Sequence, residues 1–396
     1  MTITERASDA HETSLPRRNF LRNSILLALP LVAAATPAAA ALMSSPLPAA
    51  MVAAYNPPTR SRGGTEINVR NHGAYGDGVH DDTTAIQNAI NALPAAGGTV
   101  FLPAGTYLVD PTRRVTLRSK MHLRLASGAV LKAKANAAER AYVLMVHRVS
   151  DVEISGGEIE GDRDRHTGTT GQWGHGIMVR GASRVTIRDI LIRKCWGDGI
   201  SIAATPDQIA SVDVAISNIA CIDNRRQGMS IGQARGVKVY DSEFSYTSGI
   251  APGCGIDIEA DFDNPGASDT HIENCVFRYN QGNGIQVYKR CVNTTIIRCK
   301  IENNNGYGVL AMGAKNALIR LNHITSNGLI GVGMRASSSG CNVSQNYFYN
   351  NARRFRAKDL TKLAPAMERT GNVLDRHTEV AASHDINIWT NFYYDK

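Results

Sequence analysis

Residues 280–287 read Asn-Gln-Gly-Asn-Gly-Ile-Gln-Val, and residues 304–311 read Asn-Asn-Gly-Tyr-Gly-Val-Leu-Ala. Both segments place an Asn four residues before a Gly, and apolar residues occupy the first and third positions after that Gly. The Gly–apolar pair recurs at steps of 23 to 29 residues, as Gly176-Ile177, Gly199-Ile200, Gly228-Met229, Gly255-Ile256, Gly284-Ile285, Gly308-Val309 and Gly331-Val332. A period in the twenties is typical of a solenoid, in which each repeat packs on its neighbours.

The residues around each Gly predict the type of solenoid. Apolar first and third positions alternate with polar second and fourth positions, which indicates a half-buried strand. Recurring asparagines at 224, 280, 304 and 327 can stack and satisfy buried turns. A second strand in each repeat is indicated by the column Ile192, Cys221, Phe244, Phe277, Ile301, Ile324 and Phe348. Several short strands per repeat predict an all-β protein, a single-stranded right-handed parallel β-helix.

The repeat also predicts how the chain is divided. The β-helix should extend over residues 65–350, and a helix over 82–93 should cap its N-terminal end, because an open solenoid exposes its core and its strand edges. The apolar stripe of this helix would be Ile86, Ala89, Ile90 and Leu93. Residues 41–64 are a predicted linker. Residues 351–396 depart from the repeat and are a predicted C-terminal cap or tail.

Residues 1–40 have the composition of an export signal. Arg17 and Arg18 precede Phe20-Leu21 and an uncharged, Ala-rich apolar run that begins at Ile25. This pattern resembles a cleavable twin-arginine signal, and the apolar run is short for a membrane span. We therefore expect a periplasmic or secreted protein without membrane association after cleavage.

The net charge limits the class of partner, and the cysteine positions indicate the role of these residues. The formal net charge is +8, and a basic exported protein favours an acidic polysaccharide as its partner, not nucleic acid. All seven cysteines lie between Cys195 and Cys341 and match no zinc-binding spacing. Because they fall on positions of the repeat that point inward, we expect them to fill the core.

The N-terminal part of the predicted solenoid resembles a known family. Residues 68–78 read Asn-Val-Arg-Asn-His-Gly-Ala-Tyr-Gly-Asp-Gly, and residues 97–107 read Gly-Gly-Thr-Val-Phe-Leu-Pro-Ala-Gly-Thr-Tyr. Together with Asp81-Asp82-Thr83 between them, they resemble the opening of the pectate-lyase-superfamily β-helix, which includes rhamnogalacturonase-like, epimerase-like and phage tailspike proteins. The resemblance covers roughly residues 65–350 and implies this fold. It does not imply one chemistry, because one fold serves many reactions.

Two motif comparisons limit what the resemblance implies about catalysis. Mannuronan C5-epimerases of this fold carry an Asp-Pro-His-Glu sequence, which the stretch from Trp196 to Ile202 lacks. Polygalacturonases carry Gly-His-Gly after their aspartate motifs, whereas Gly174-His175-Gly176 precedes Gly197-Asp198-Gly199 here. No catalytic residue is therefore carried over from either family.

The repeat itself points to one candidate surface. The second and fourth residues after each Gly should face outward on one continuous sheet, with Asp257 and Glu259 near its middle. Two neighbouring carboxylates suit acid–base catalysis, because their proximity separates their pKa values. The run that contains them also includes Asp261 and Asp263, and the alternative for these four carboxylates is a calcium site. No cofactor other than this calcium ion is expected.

Further polar residues accompany this pair. Asp198 and His175 directly precede their Gly at the entrance of the strand, so we expect them to reach the same surface as additional catalytic candidates. Residues of the outward positions, together with one neighbouring cation, are predicted to bind substrate: Arg180, Ser201, Ser230, Gln286, Tyr288, Lys289 and Arg335.

Three functions fit these residues. The first is hydrolysis of an acidic, uronate-containing polysaccharide, with Asp257 and Glu259 as acid and base. The second is a polysaccharide lyase or C5-epimerase, in which a base such as Tyr288, His175 or an arginine removes the proton at C5. Arg180, or calcium held by the acidic run, would then neutralise the uronate carboxylate. The third is a non-catalytic carbohydrate-binding or assembly protein that uses the same groove.

Overall fold

The computed structural model describes residues 55–264, 266–354, 373–374 and 376–394. The predicted export signal and residues 41–54 of the predicted linker lie outside the described residues. Within the described ranges, no helix is long and apolar enough to cross a membrane.

Successive coils of the chain pass through three parallel sheets, named A, B and C in the order of passage. Sheet A contains Thr65–Asn68, Gly98–Leu102, Met121–Leu125, Ser150–Ser155, Ser183–Arg188, Ser211–Ser217, Ala234–Tyr240, His271–Glu273, Thr295–Ile297, Leu318–Arg320, Asn342–Ser344 and Asn387–Trp389, with Ala267–Ser268 and Cys291–Val292 beside them. Sheet B contains Asp77–Asp81, Gly105–Val109, Ala129–Ala133, Glu158–Glu160, Leu191–Arg193, Ala220–Ile222, Glu243–Ser245, Val276–Arg278, Lys300–Glu302, His323–Thr325, Tyr347–Tyr349 and Phe392–Tyr393. Sheet C contains Val115–Thr116, Arg140–His147, Trp173–Arg180, Asp198–Ala203, Gln227–Ile231, Ile256–Ile258, Ile285–Val287, Val309–Met312, Val332–Arg335 and Thr378–Ala381, and Val373–Leu374 pairs antiparallel to the last strand.

This architecture is a right-handed parallel β-helix, and the predicted fold class and register are confirmed. Ile177, Ile200, Met229, Ile256, Ile285, Val309 and Val332 are consecutive partners along sheet C. The Gly before each of them is required by the close approach of neighbouring coils. A Cβ atom on Gly255 would lie 2.7 Å from the carbonyl oxygen of Gly284. The Gly column therefore marks coil-to-coil contact.

A buried ladder of asparagines joins the coils at the turn before sheet C. Asn280 Nδ2 donates to Asn304 Oδ1 at 2.8 Å, and Asn304 Nδ2 donates to Asn327 Oδ1 at 3.0 Å. Each Nδ2 also donates to a backbone carbonyl, and each Oδ1 also accepts a backbone N–H. The predicted Asn stack is confirmed for Asn280, Asn304 and Asn327, whereas Asn224 bonds only to backbone groups of the preceding coil. The stack satisfies turn groups that would otherwise be buried without partners.

Stacked apolar side chains fill the interior. Phe244 and Phe277 stack with ring centroids 5.4 Å apart in the predicted second column. All seven cysteines are buried and free, which confirms them as core residues. Burial raises the pKa of thiols such as Cys221 and Cys275 well above the usual value, so these thiols are unreactive in the folded protein.

The N-terminal end carries the predicted capping helix, Thr83–Asn91, which packs against a 3₁₀ helix at Val69–His72. Ile86, Ala89 and Ile90 form its buried stripe. Asp81 Oδ1 accepts the N–H of Thr83 at 3.0 Å, whereas the Asp82 carboxylate binds the preceding turn. A second 3₁₀ helix, Arg163–Arg165, lies between sheets B and C.

Residues 55–64 correct the linker prediction, because they lie along the outer face of sheet A. Arg60 Nη1 donates to Asp213 Oδ2 at 2.7 Å, and its Nε donates to Thr186 Oγ1 at 2.8 Å. Tyr55 stacks on Tyr240 with ring centroids 3.8 Å apart. The segment is held here because its buried guanidinium finds a carboxylate and neutral acceptors on two neighbouring strands, Ser183–Arg188 and Ser211–Ser217.

The C-terminal end also differs from the prediction that the repeat ends near residue 350. Thr378–Ala381, Asn387–Trp389 and Phe392–Tyr393 extend sheets C, A and B by a further coil. His377 occupies the Gly position of this coil, since Thr378 pairs with Val332. The Gly that marks the earlier coils in the sequence is therefore absent from this one.

The Asn ladder gives a test of the fold. We expect Asn304→Ala to lower the free energy of unfolding by about 2–3 kcal/mol, because Asn280 loses an acceptor and two backbone groups lose partners in the core. Asn305→Ala, at the exposed neighbouring position, should cost less than about 0.5 kcal/mol. Equal costs in denaturant unfolding would contradict a stabilising ladder.

Candidate active site on the outer face of sheet C

The outer face of sheet C carries two rows of side chains. A Cβ atom on Gly176 would contact core residues, and Ile177 is also fully buried, so both positions point inward. The residue before each Gly consequently points outward, as does the second residue after it. The first row contains Tyr142, His175, Asp198 and Gln227, and the second contains Met178, Ser201, Ser230, Asp257 and Gln286.

His175 lies at the start of these rows and is 3% exposed. Its Nδ1 accepts the backbone N–H of Asp198 at 3.0 Å, so the neutral ring carries its proton on Nε2. Burial lowers the pKa of His175 to about 4 against the attraction of Asp198, and Arg226, Arg140 and Arg180 lower it further. His175 is therefore a neutral hydrogen-bond donor at neutral pH.

Tyr142 stacks on His175 with ring centroids 5.5 Å apart and an interplanar angle of 6°. The Tyr142 hydroxyl is buried and has no hydrogen-bond partner among the described residues. A buried hydroxyl without a partner costs about 1–3 kcal/mol, so a ligand atom that pairs with it would remove that cost.

Asp198 is fully buried in a cluster of polar side chains beside His175. Both carboxylate oxygens accept from Arg226 Nη1, at 3.0 and 2.9 Å, and Ser230 Oγ lies 2.7 Å from Oδ2. Ser230 Oγ is also 3.0 Å from Ser201 Oγ. The structure thus brings together four of the predicted site residues, His175, Asp198, Ser201 and Ser230.

Asp257 ends two hydrogen-bond relays whose direction is set by backbone N–H groups. Cys254 N donates to Gln227 Oε1, and Gln227 Nε2 donates to Asp257 Oδ2 at 2.9 Å. From the other side, Tyr307 N donates to Asn283 Oδ1, Asn283 Nδ2 to Gln286 Oε1, and Gln286 Nε2 to Asp257 Oδ1 at 3.0 Å. Both carboxylate oxygens of Asp257 therefore accept N–H donors from glutamine side chains.

These contacts correct the expectation that Asp257 and Glu259 form an exposed acidic pair. Asp257 is 2% exposed, and Glu259 is half-buried directly after the strand Ile256–Ile258. Asp263 is exposed and pairs with Arg290 at 2.8 Å. In the ranges that the structure describes, no three His, Cys, Asp or Glu side chains are grouped to hold a metal, so the calcium alternative gains no support.

The other predicted residues are spread along sheet C. Arg180 is partly buried, and its Nε lacks a partner in the described chain. Tyr288 and Lys289 lie together, with the lysine Nζ 5.7 Å from the tyrosine ring centroid. Arg335 contacts Tyr307 and Glu379 at the far end.

Sequence reasoning missed Tyr142, Arg226 and Gln227. Tyr142 precedes Val143, so the Gly column gave no sign of its register. Gln227 directly precedes Gly228, and the row of residues before each Gly was the signal that could have identified it.

The indole of Trp196 has both faces covered. The His166 ring stacks on it with centroids 3.9 Å apart, and Arg225 Cζ lies 3.5 Å from its centroid. These two groups cannot share one face of the indole.

The fold and this polar face define a pectate-lyase-like parallel β-helix with a candidate site on one sheet. The chain belongs to the right-handed β-helix family, whose model, described as a right handed beta helix region, matches residues 126–265 and 262–359. A model described as rhamnogalacturonase A/epimerase, pectate lyase-like, matches residues 66–154.

Two curated relatives illustrate the similarity. The uncharacterized protein YclG of Bacillus subtilis is 27% identical over 62% of this chain and 45% of its own length. Mannuronan C5-epimerase AlgE2 of Azotobacter vinelandii is 35% identical over 34% of this chain and 15% of its own length. The chain spans less than half the length of these relatives.

Two solved structures share the fold. The A-module of mannuronan C-5 epimerase AlgE4 from Azotobacter vinelandii superposes with a TM-score of 0.62 at 22% identity, over 73% of this chain and 79% of that chain. The tailspike gp49 of the Acinetobacter baumannii bacteriophage Fri1, a capsular polysaccharide depolymerase, also gives 0.62, at 12% identity over 83% of this chain and 63% of that chain.

The relays around Asp257 give a second test. In Asp257→Asn the new amide group would face a glutamine N–H₂, so we expect the free energy of unfolding to fall by about 2 kcal/mol. Asp263→Asn is the control, because the Asp263 side chain is 86% exposed and surface ion pairs contribute little. A loss no larger in Asp257→Asn than in Asp263→Asn would show that the relays do not converge on Asp257.

Proposed function

We propose that the outer face of sheet C binds an acidic, uronate-containing polysaccharide and removes the proton at C5, as a lyase or an epimerase. The observation that carries this proposal is a neutral, buried His175 stacked on Tyr142, whose buried hydroxyl has no partner among the described residues. Buried polar groups in native proteins are almost always paired, so this hydroxyl indicates a polar ligand.

The donors around His175 suit a carboxylate. The Nε2–H of His175 would hydrogen-bond the uronate carboxylate. Proton removal at C5 spreads negative charge onto that carboxylate, so donors fixed there lower the barrier. We assign the proton transfer to Tyr142, which lies beside His175 and whose hydroxyl is uncommitted to any other described group. Its hydroxyl proton first leaves to solvent, and the resulting phenolate oxygen then takes the proton from C5. The step requires no cofactor.

The carboxylates support this chemistry more than the hydrolysis that the sequence first suggests. A glycosidase needs one carboxyl group that is protonated and can donate to the leaving oxygen. Both oxygens of Asp198 accept from a guanidinium, and both oxygens of Asp257 accept from amides. Each carboxylate is engaged on both oxygens by side chains of the protein, so neither is placed to donate a proton to a leaving oxygen.

The relatives support a polysaccharide as the substrate class, since they include mannuronan C5-epimerases and a capsular polysaccharide depolymerase. The basic net charge of +8 is compatible with an acidic polymer. We further propose that the chain acts in the periplasm or outside the cell, as the Arg17-Arg18 segment suggests.

Substitution of the assigned residues tests the proposal. With mannuronan and polygalacturonate as substrates, Tyr142→Phe and His175→Ala should each lower kcat/KM about a hundredfold or more. His175→Gln should retain more activity, because its amide keeps an N–H donor. Since the pKa of His175 is about 4, its ionisation should not limit the rate from about pH 5 to 7. His323→Gln, on sheet B, is the matched control.

The products distinguish the alternatives. Unsaturated uronate ends indicate elimination, and altered C5 configuration without cleavage indicates epimerisation. Saturated reducing ends would replace the proposal with hydrolysis. Binding of the polymer without any product would make the chain a carbohydrate-binding protein and overturn the proposed reaction.

A further inference from the structure

A second polar cluster lies at the C-terminal end of the same face. Tyr307 stands in the first outward row, and its hydroxyl donates to Glu379 Oε2 at 2.8 Å. Arg335 Nη1 is 3.4 Å from this hydroxyl, and Arg335 Nε is 3.4 Å from Glu379 Oε1. Gly333 makes room for the cluster, since a Cβ atom there would lie 2.7 Å from Cε1 of the Tyr307 ring.

The charges of this cluster point toward a ligand. Glu379 is 3% exposed, whereas the Arg335 side chain is 42% exposed. Burial and the Glu379 carboxylate raise the pKa of the Tyr307 hydroxyl, which therefore remains a donor. Arg335 is held at Nε and Nη1, and its Nη2 has no partner within the described part of the chain. A guanidinium fixed on one side presents its remaining donors in a set geometry, which suits a carboxylate.

Arg335 and Arg180 occupy the same position of the repeat. Arg180 pairs with Ala203, and Met312 pairs with Arg335, in the outward position four residues after the Gly. Six strand spacings separate the two arginines, which is about 29 Å along the solenoid axis. Lys289, exposed on an intermediate coil, lies between them. Cations at both ends of one continuous face match a ligand that carries carboxylates at intervals.

We propose that Arg335, held by Tyr307 and Glu379, is a distal subsite for a uronate carboxylate of the same polymer whose reacting sugar lies at His175. This inference rests on the proposed function and adds two properties to it. The polysaccharide lies parallel to the solenoid axis, and full affinity requires a chain several sugar units long. A short oligosaccharide at His175 does not reach Arg335.

The test compares substrate lengths. Arg335→Gln keeps a polar side chain toward Glu379 and removes the charge, and Tyr307→Phe removes the hydroxyl that orients the guanidinium. We expect Arg335→Gln to raise KM for polymeric mannuronan about tenfold, with kcat unchanged and no effect on a mannuronan trisaccharide. Tyr307→Phe should give a smaller shift of the same kind. Arg320 is an exposed arginine on sheet A, and Arg320→Gln should leave KM and kcat unchanged for both substrates.

Affinity electrophoresis in gels that contain mannuronan or polygalacturonate separates this inference from the proposed reaction. Weaker retardation of Arg335→Gln in a protein that shows no turnover would support the subsite and reject the reaction. An equal rise in KM for trisaccharide and polymer, or no rise for the polymer, would overturn the subsite. The proposed reaction would then still be tested by the His175 and Tyr142 variants. No retardation of the unsubstituted protein in either gel would overturn both.

Discussion

The spacing between successive coils governs the rest of this structure. Hydrogen bonds between parallel strands set it at about 4.8 Å in all three sheets, so a side chain must tolerate an equivalent side chain at that distance above and below. Phenylalanine rings and asparagine amides meet this condition by stacking and by donating along the axis. Glycine meets it where the carbonyl of the next coil comes too close for a Cβ atom, as at Gly255.

The same constraint shapes the candidate site. Because Gly and the following residue both turn inward, two rows of each coil face outward, and neighbouring coils place their polar residues within hydrogen-bond distance. The resulting relays have a direction that is fixed by backbone N–H groups, and they deliver only donors to Asp257. Beside His175 the pattern is incomplete, because the Tyr142 hydroxyl has no partner among the described residues.

The sequence predicted the fold well because the fixed spacing between coils restricts which residue types can occupy each position of the repeat. The Gly column, the Asn ladder and the buried cysteines were all readable from their period. The site was less predictable, because burial depends on what covers a face. Asp257 was expected to be exposed, and it is enclosed by amides from coils on either side. Tyr142 was missed because its coil lacks the Gly, and the last coil was missed because His377 replaces it. Nothing periodic marks Arg226, whose role follows from one contact with Asp198.

Exchange of the C5 proton with solvent tests the central claim most directly. When a uronate polymer is incubated with the protein in deuterium oxide, proton abstraction at C5 should place deuterium at that carbon in an epimerised product. If the protein is a lyase and the proton abstraction reverses before the glycosidic bond is cleaved, the recovered substrate should carry deuterium at C5. The account predicts solvent-derived deuterium at C5 with the unsubstituted protein and its loss in Tyr142→Phe. Product formation in which C5 keeps its original hydrogen would contradict proton abstraction and assign the reaction to another bond of the sugar.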